Sequence, residues 1–184
     1  IKSLNSNNPD NVYLIAKHFF AAGSLFSDQA YESNLQAAKL ASKFHQFEDS
    51  LALLDKAKIS ASSSGNSVED VEIQIAIVNC EKSHIYGKEQ SEAADFGLEI
   101  IKETGLSTFD ELAIKITRAL YEARRYDEAI EMAEKLKSAE SISTQTEGFH
   151  FHGLSISPQE RDKSKERLFL LRQAYDLASQ SNIS

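Results

Sequence analysis

The chain has 184 residues, of which 28 are acidic and 20 are basic, so its formal net charge at neutral pH is −8. Phosphate backbones and anionic membrane surfaces repel such a surface, which disfavours general nucleic-acid or membrane binding. The chain is 41% hydrophobic, with two prolines and seven glycines, so it can bury a core but has few residues for the tight turns of a sheet-rich fold.

A single cysteine, Cys80, rules out an intramolecular disulfide framework. It lies in the apolar run IQIAIVNC, where a buried and unreactive thiol is expected. No apolar run approaches the ~20 residues that span a bilayer, and no signal peptide is recognisable. We therefore expect a cytoplasmic protein, with a nuclear location as the alternative. Because the chain opens on Ile1 and not on Met, we also expect it to be a fragment of a longer protein.

Apolar residues recur at spacings of three and four along most of the chain, which is typical of amphipathic helices. Pro9 suits a first helical turn and Gly23 suits a helix end. The first third of the chain therefore predicts helices over 9–22, 27–44 and 47–59. The stretch 60–67, SASSSGNS, has no apolar anchor and predicts a loop.

The next segment contains a conflict between helix and strand. Ile73, Ile75 and Ile77 alternate, which would suit a strand. The length of the segment and the spacing of its other apolar residues favour a helix over 67–86, with Ser67 as its N-cap and acidic residues in its first turn.

The second half of the chain follows the helical pattern as well. Thr108 is the predicted cap of a helix that starts at Phe109, and an Arg-Arg link joins this helix to the next. The stretch 141–148, SISTQTEG, predicts a second polar loop, followed by the short apolar segment FHFHGLSIS. The pattern predicts helices over 89–103, 109–123, 126–139 and 162–179, so the fold class is all-α with about nine helices.

Two stretches, 34–57 and 113–136, share one arrangement of small and large side chains. The matching positions of the first stretch are Ala37, Ala38, Ala41, Phe47, Ser50, Leu54 and Ala57. Those of the second are Ile116, Thr117, Leu120, Tyr126, Ala129, Ala133 and Leu136. This arrangement resembles the tetratricopeptide repeat (TPR) family, in which small residues let two helices cross closely and large ones fill the gaps. Looser units contain Ala94, Leu98 and Ile101, and Ala174 and Leu177; Pro158 and a charged run interrupt the first helix of the last unit.

The resemblance implies one TPR-like domain over 1–184, an α-solenoid of about four antiparallel helix pairs in a right-handed superhelix. The expected units are 27–60, 67–104, 107–140 and 147–181, preceded by an extra helix at 9–22. The small residues Ser50, Ala94 and Ala129 are unevenly spaced, whereas the family repeat is ~34 residues. Irregular spacing favours one segment of an assembly subunit over a standalone peptide clamp.

By fold analogy, the resemblance also implies a non-catalytic scaffold or adaptor that binds a helix, a peptide or a folded neighbour within a larger protein complex. The alternatives are a co-chaperone-type clamp for a terminal carboxylate and an RNA-binding helical repeat. Arg124 and Arg125 suit either a contact with an acidic partner or a polar turn. The clamp candidates on first helices are Lys39, Asn79, Lys82, Lys115 and Arg118.

No catalytic or cofactor motif stands out. The glycines are scattered and form no phosphate-binding loop. His150 and His152 would point about 200° apart on a helix, which does not suit a shared metal. His18, His45 and His84 stand singly. The sequence therefore predicts no cofactor, no metal and no enzymatic activity.

Overall fold

A computed structural model of the chain describes residues 9–104 and 110–181. Over these two ranges the chain is helical with no strand, so the all-α prediction is confirmed. Short 3-10 turns at Ser24–Phe26 and Arg161–Lys163 precede two of the helices. Within the described ranges the α-helices are α1 (Pro9–Ala21), α2 (Ser27–Lys43), α3 (Phe47–Ser64), α4 (Val68–Tyr86), α5 (Gln90–Thr104), α6 (Asp110–Glu122), α7 (Tyr126–Leu136), α8 (Ile142–Ser155) and α9 (Ser164–Ser181).

The chain divides into two compact units, and the boundary falls inside α4, between Lys82 and Ser83. Within each unit the helices pack against their neighbours in sequence order, as expected of a helical repeat. In the described part of the chain, no helix is long and apolar enough to cross a membrane.

The core of the first unit is built largely from alanine, which lets helices approach closely. Ser50 of α3 faces α2 and donates its hydroxyl to the carbonyl oxygen of Ala38 at 2.8 Å, so this buried polar group is satisfied at the crossing. One cluster joins α1 to α2 through Val12, Ala16 and Ala37. A second joins α2, α3 and α4 through Ala38, Phe47, Leu54, Ala57, Ala61, Val71 and Val78.

The hairpins α2–α3 and α6–α7 bury matching positions 79 residues apart, except that Phe47 is fully buried whereas its counterpart Tyr126 is 39% exposed. The buried residues of α2 from Ser33 onwards are Ser33, Asn34, Ala37, Ala38 and Ala41. Each has a buried counterpart 79 positions later in α6: Leu112, Ala113, Ile116, Thr117 and Leu120. In α3 and α7 the buried residues Ser50, Leu54 and Ala57 correspond to Ala129, Ala133 and Leu136. The two stretches singled out in the sequence therefore bury the same register.

The same turn closes both hairpins. The N–H of Gln46 bonds to the carbonyl of Ala41 at 2.9 Å, and the N–H of Arg125 bonds to that of Leu120 at 2.9 Å. His45 (φ 58°) and Arg124 (φ 61°) adopt the left-handed conformation just before these residues. This is the Schellman helix end, which usually carries glycine at the left-handed position.

The predicted loop over 60–67 is wrong for residues 60–64, because α3 continues to Ser64 and ends at Gly65 in the left-handed conformation (φ 78°); residues 65–67 form the link to α4. The serine side chains bond to carbonyl oxygens of their own helix and do not hold the backbone in a turn. Their hydroxyls donate to the carbonyl oxygens four residues earlier, Ser60 to Lys56, Ser62 to Lys58, Ser63 to Ile59 and Ser64 to Ser60. Ala61 also supplies the apolar anchor that seemed to be missing, since it is fully buried in the core.

The predicted loop over 141–148 is also wrong, because α8 begins at Ile142. Ser141 caps the helix by accepting a hydrogen bond from the N–H of Thr144. Thr144 is buried and donates its hydroxyl to Asp110 Oδ2 at 2.9 Å. A polar sequence here makes a helix because Ser141 supplies its cap and Thr144 bonds to Asp110 of α6.

The last helix pair is more complete than the sequence indicated. Pro158 lies in the link between α8 and α9 and does not interrupt the first helix of the pair, which is α8 itself. Two other predictions are confirmed: the alternating isoleucines lie in the helix α4, and Ser67 Oγ accepts a hydrogen bond from Asp70 N at 3.0 Å. The predicted cap at Thr108 lies outside the described residues.

Candidate functional site

Of the predicted basic site residues, Lys115 and Arg118 are the two cations that one helix face brings together. Both are half-buried on α6, one helical turn apart. Arg118 lies over the Phe151 ring of α8, 5.8 Å from its centre. The interaction with His150, whose Nδ1 lies 3.7 Å from Oε2 of Glu147, is the main cause that lowers the pKa of Glu147; the charges of Arg118 and Lys115 lower it further. The pair therefore forms the basic side of a mixed-charge surface between α6 and α8.

The remaining clamp candidates lie in the first unit, where Asn79 and Lys82 are one helical turn apart on α4 but do not form a pair of cations. Lys39 is exposed on α2, and Asn79 is half-buried on α4. Lys82 lies 3.4 Å from Oε1 of Glu48 on α3, so an intramolecular carboxylate already meets its charge.

Arg124 and Arg125 behave differently although they are adjacent. Arg124 is exposed in the left-handed position of the turn. Arg125 binds Asp95 Oδ1 and Glu128 Oε2, each at 2.6 Å, and donates to Ser91 Oγ at 3.1 Å. The hydrogen bond to Glu128 is the main cause that raises the pKa of Arg125, and the hydrogen bond to Asp95 is the next. The hydrogen bond between Arg125 and Glu128 also lowers the pKa of Glu128. Arg125 therefore ties α7 to α5, which leaves Arg124 as the outward-facing residue of the pair.

The histidines of α8 lie on different sides of the helix, as their spacing predicts. His150 is exposed, whereas His152 is 6% exposed. Nδ1 of His152 lies 2.8 Å from Glu134 Oε1 and 3.1 Å from Lys137 Nζ, both on or next to α7. Burial, and then the Lys137 charge, lower the pKa of His152. Over 9–104 and 110–181, no group of three or more His, Cys, Asp or Glu side chains is placed to hold a metal ion.

A surface that sequence reasoning missed lies on α9. Leu168, Phe169 and Tyr175 are 68%, 59% and 72% exposed, although each is large and apolar or aromatic. Lys165 and Arg172 share the same side of the helix and are exposed. Together these five residues form what we call the α9 outer face.

The opposite side of α9 holds the helix in place. Leu170 and Ala174 are 5% and 6% exposed, and α9 packs on α8. A signal for the outer face was present in the sequence, because the run 168–171, LFLL, places four consecutive large apolar residues around a helix. One helix face cannot bury all four.

Comparisons with known proteins give no identification: no family model, no curated protein and no solved structure matches the chain.

Proposed function

We propose that the chain is a TPR-like, right-handed helical-repeat scaffold that binds other proteins as a segment or subunit of a larger assembly. The observation that carries the proposal is the repeated hairpin: α2–α3 and α6–α7 bury corresponding positions, and the same kind of turn joins the two helices of each hairpin. Repeats of this kind stack to bury their cores and leave extended surfaces to partners.

The surface side chains support protein partners over small molecules. Large apolar groups stand exposed on several helices, among them Leu25 at 89% and Leu168 at 68%. Side chains of this kind in exposed patches mark protein–protein contact sites. The inference from fold to binding is an analogy, and the surface chemistry is what makes it specific to this chain.

The clamp remains a second candidate because of Lys115 and Arg118. Two cations one turn apart on the same helix face suit a carboxylate or an acidic peptide. The pairing of Lys82 with Glu48 removes one of the other proposed contacts from such a clamp.

Affinity purification of the tagged chain from the cells of its source organism tests the proposal. We expect at least one protein to be recovered in stoichiometric amount and to co-elute with the chain in gel filtration. Recovery of no such protein would contradict the scaffold function.

The same purification also tests the clamp. Lys115→Glu/Arg118→Glu is expected to abolish the recovery of a clamped partner, whereas Lys43→Glu, a charge reversal at an exposed site on α2 outside the clamp candidates, should leave it unchanged. Equal recovery with both variants would reject the clamp and leave the scaffold in place.

A further inference from the structure

The α9 outer face departs from the pattern of the other outer faces in the repeat. We align α7 with α9 by their buried residues, so that Ala129 corresponds to Leu170 and Ala133 corresponds to Ala174. The outward positions of α7 then carry Asp127, Glu128, Glu131 and Glu134, whereas α9 carries Leu168, Phe169, Arg172 and Tyr175. In the first unit, α3 also carries Glu48, Asp49 and Asp55 outward. Three acidic positions of α7 are therefore replaced by large apolar or aromatic side chains, and the fourth by a cation.

Packing within the unit does not account for this replacement. The contact of α9 with α8 uses the opposite side of the helix, where Arg167 Nε also donates to the Gly153 carbonyl at 3.3 Å. The side chains of Leu168, Phe169 and Tyr175 are more than half exposed. Leu and Phe on an outer helix surface weaken solubility, so a solvent-facing role gives them no advantage.

The charges on the α9 outer face select the partner. The outward side of α9 carries two cations, Lys165 and Arg172, against one exposed carboxylate, Asp176, in a chain whose net charge is −8. Lys165 precedes Leu168 by three residues and Arg172 follows it by four, so both lie next to Leu168, and Asp176 lies on the same face one turn after Arg172. A partner that complements this surface has an apolar stripe flanked by carboxylates.

We propose that the α9 outer face docks an acidic amphipathic helix of another protein. The apolar stripe of that helix packs on Leu168, Phe169 and Tyr175, and its flanking carboxylates pair with Lys165 and Arg172. Tyr, Arg and Phe are residues that dominate the binding energy of helix-sized interfaces. The proposal rests on the scaffold function and names the surface and the kind of partner.

Two other occupants fit the face less well. A basic helix with Leu, Phe and Tyr can lie on an anionic membrane, but a chain of net charge −8 is repelled by that surface. A second copy would have to offer a complementary acidic and apolar helix, and the acidic outer faces of α3 and α7 carry few large apolar side chains. The partner protein is therefore the occupant that charge and shape favour.

Designed peptides provide the test. The probe is a fluorescein-labelled helical peptide of about 18 residues, with leucine at spacings of three and four and glutamate on both flanks. A sister peptide carries lysine at the same flanks, and a third keeps glutamate but replaces the leucines with serine. Binding to the full chain is measured by fluorescence anisotropy, after circular dichroism shows that each variant keeps its helix content.

Wild-type chain is expected to bind the glutamate peptide at least about tenfold more tightly than either of the other two. Leu168→Ser/Tyr175→Ser should weaken that binding by about tenfold or more, because both changes remove apolar contact from exposed positions. Lys165→Glu/Arg172→Glu should reverse the preference toward the lysine peptide. The matched control, Asp127→Ser/Glu131→Ser at the outward positions of α7 that correspond to Leu168 and Arg172, should bind like wild type.

Three results would overturn the proposal. They are no binding of the glutamate peptide up to about 1 mM, equal binding by wild type and by Leu168→Ser/Tyr175→Ser, or co-sedimentation of the chain with vesicles rich in phosphatidylserine that the same double variant abolishes. The affinity purification described above distinguishes failure of the docking proposal from failure of the scaffold function. If both wild type and the double variant recover the same stoichiometric protein, the scaffold function stands and the docking surface lies elsewhere.

Discussion

Gly148 lies where α8 meets the end of α7, and its missing side chain is a packing requirement. A Cβ at this position would come within 2.7 Å of Lys137 N and 2.9 Å of Ala133 O, which are backbone atoms that cannot rotate away. Gly148→Ala gains about 1 kcal/mol of helix propensity but forces the two helices apart, so we expect a net loss of about 1–3 kcal/mol in unfolding free energy. Urea denaturation followed by circular dichroism measures it.

Gly153 is the matched control for this substitution on the same helix. A Cβ there would first meet side-chain atoms of Leu171, at 2.9 Å, and a side chain can change its rotamer. Gly153→Ala should therefore change the unfolding free energy by no more than about 1 kcal/mol. Equal losses for the two alanine variants would mean that the backbone contact at Gly148 is not what limits the substitution.

His152 makes the stability of the α7–α8 contact depend on pH. Burial and the Lys137 charge lower its pKa below the ordinary 6.5, and the Glu134 charge offsets part of the effect. As the pH falls below 6.5, the unfolded chain therefore takes up this proton before the folded chain does. The contribution of His152 to stability is complete above 6.5 and is lost as the pH falls toward the lower folded pKa.

The pH dependence is checked by melting temperatures between about pH 7.5 and pH 5.5. His152→Asn keeps a group that can donate or accept near the position of Nδ1 but does not titrate. We expect the melting temperature of this variant to fall less over this pH interval than that of wild type. Parallel curves for wild type and His152→Asn would contradict the assignment.

At the scale of the element, the turn after α6 holds a non-glycine residue in a conformation that glycine adopts without strain. Arg124 has φ 61° and is exposed, and its backbone N–H bonds to the carbonyl of Tyr121 at 3.0 Å. Arg124→Gly should stabilise the chain by about 0.5–1 kcal/mol, because the Cβ clash disappears. Arg124→Ala keeps the Cβ and should have little effect. Thermal unfolding compares the two, and a glycine variant no more stable than the alanine variant would contradict the prediction.

Most of the helices and their bounds could be predicted from apolar spacing, but the helical segments rich in serine and threonine could not. The end of α3 and the start of α8 are serine- and threonine-rich, and these residues favour loops when their side chains compete for backbone groups. Here the Ser64 hydroxyl bonds within its own helix and that of Thr144 bonds to Asp110, a partner far away in sequence. Local composition carries no information about such a partner.

The predicted site residues show the same limit. Spacing places Lys115 and Arg118 on one face correctly, because both lie on a single helix. It could not show that Arg125 is held by Asp95 of α5, since that contact depends on how two helices pack. The α9 outer face was missed because exposure is decided by which neighbours a helix has.

At the scale of the whole molecule, stability in a stack of helix pairs is shared between neighbours, so damage at one crossing should spread. Ala129 is fully buried in α7 and occupies the position of Ser50 in the earlier hairpin, where the serine hydroxyl bonds to the carbonyl of Ala38. The corresponding carbonyl in the later hairpin is that of Thr117 in α6. The serine of the earlier hairpin therefore indicates that serine is an acceptable substitution for Ala129 at the crossing of α6 and α7.

Ala129→Ser should be tolerated within about 1 kcal/mol, because the new hydroxyl can bond to the Thr117 carbonyl as Ser50 does to that of Ala38. Ala129→Glu buries an unpaired charge at the same point and should cost about 3 kcal/mol or more. Since α7 also packs on α8, and α8 on α9, the loss should extend to those helices. Hydrogen exchange should then show reduced protection in α6 to α9 of the glutamate variant and near-native protection in the serine variant. Loss confined to α7 alone would mean that the helix pairs of this unit do not support one another as a repeat array does.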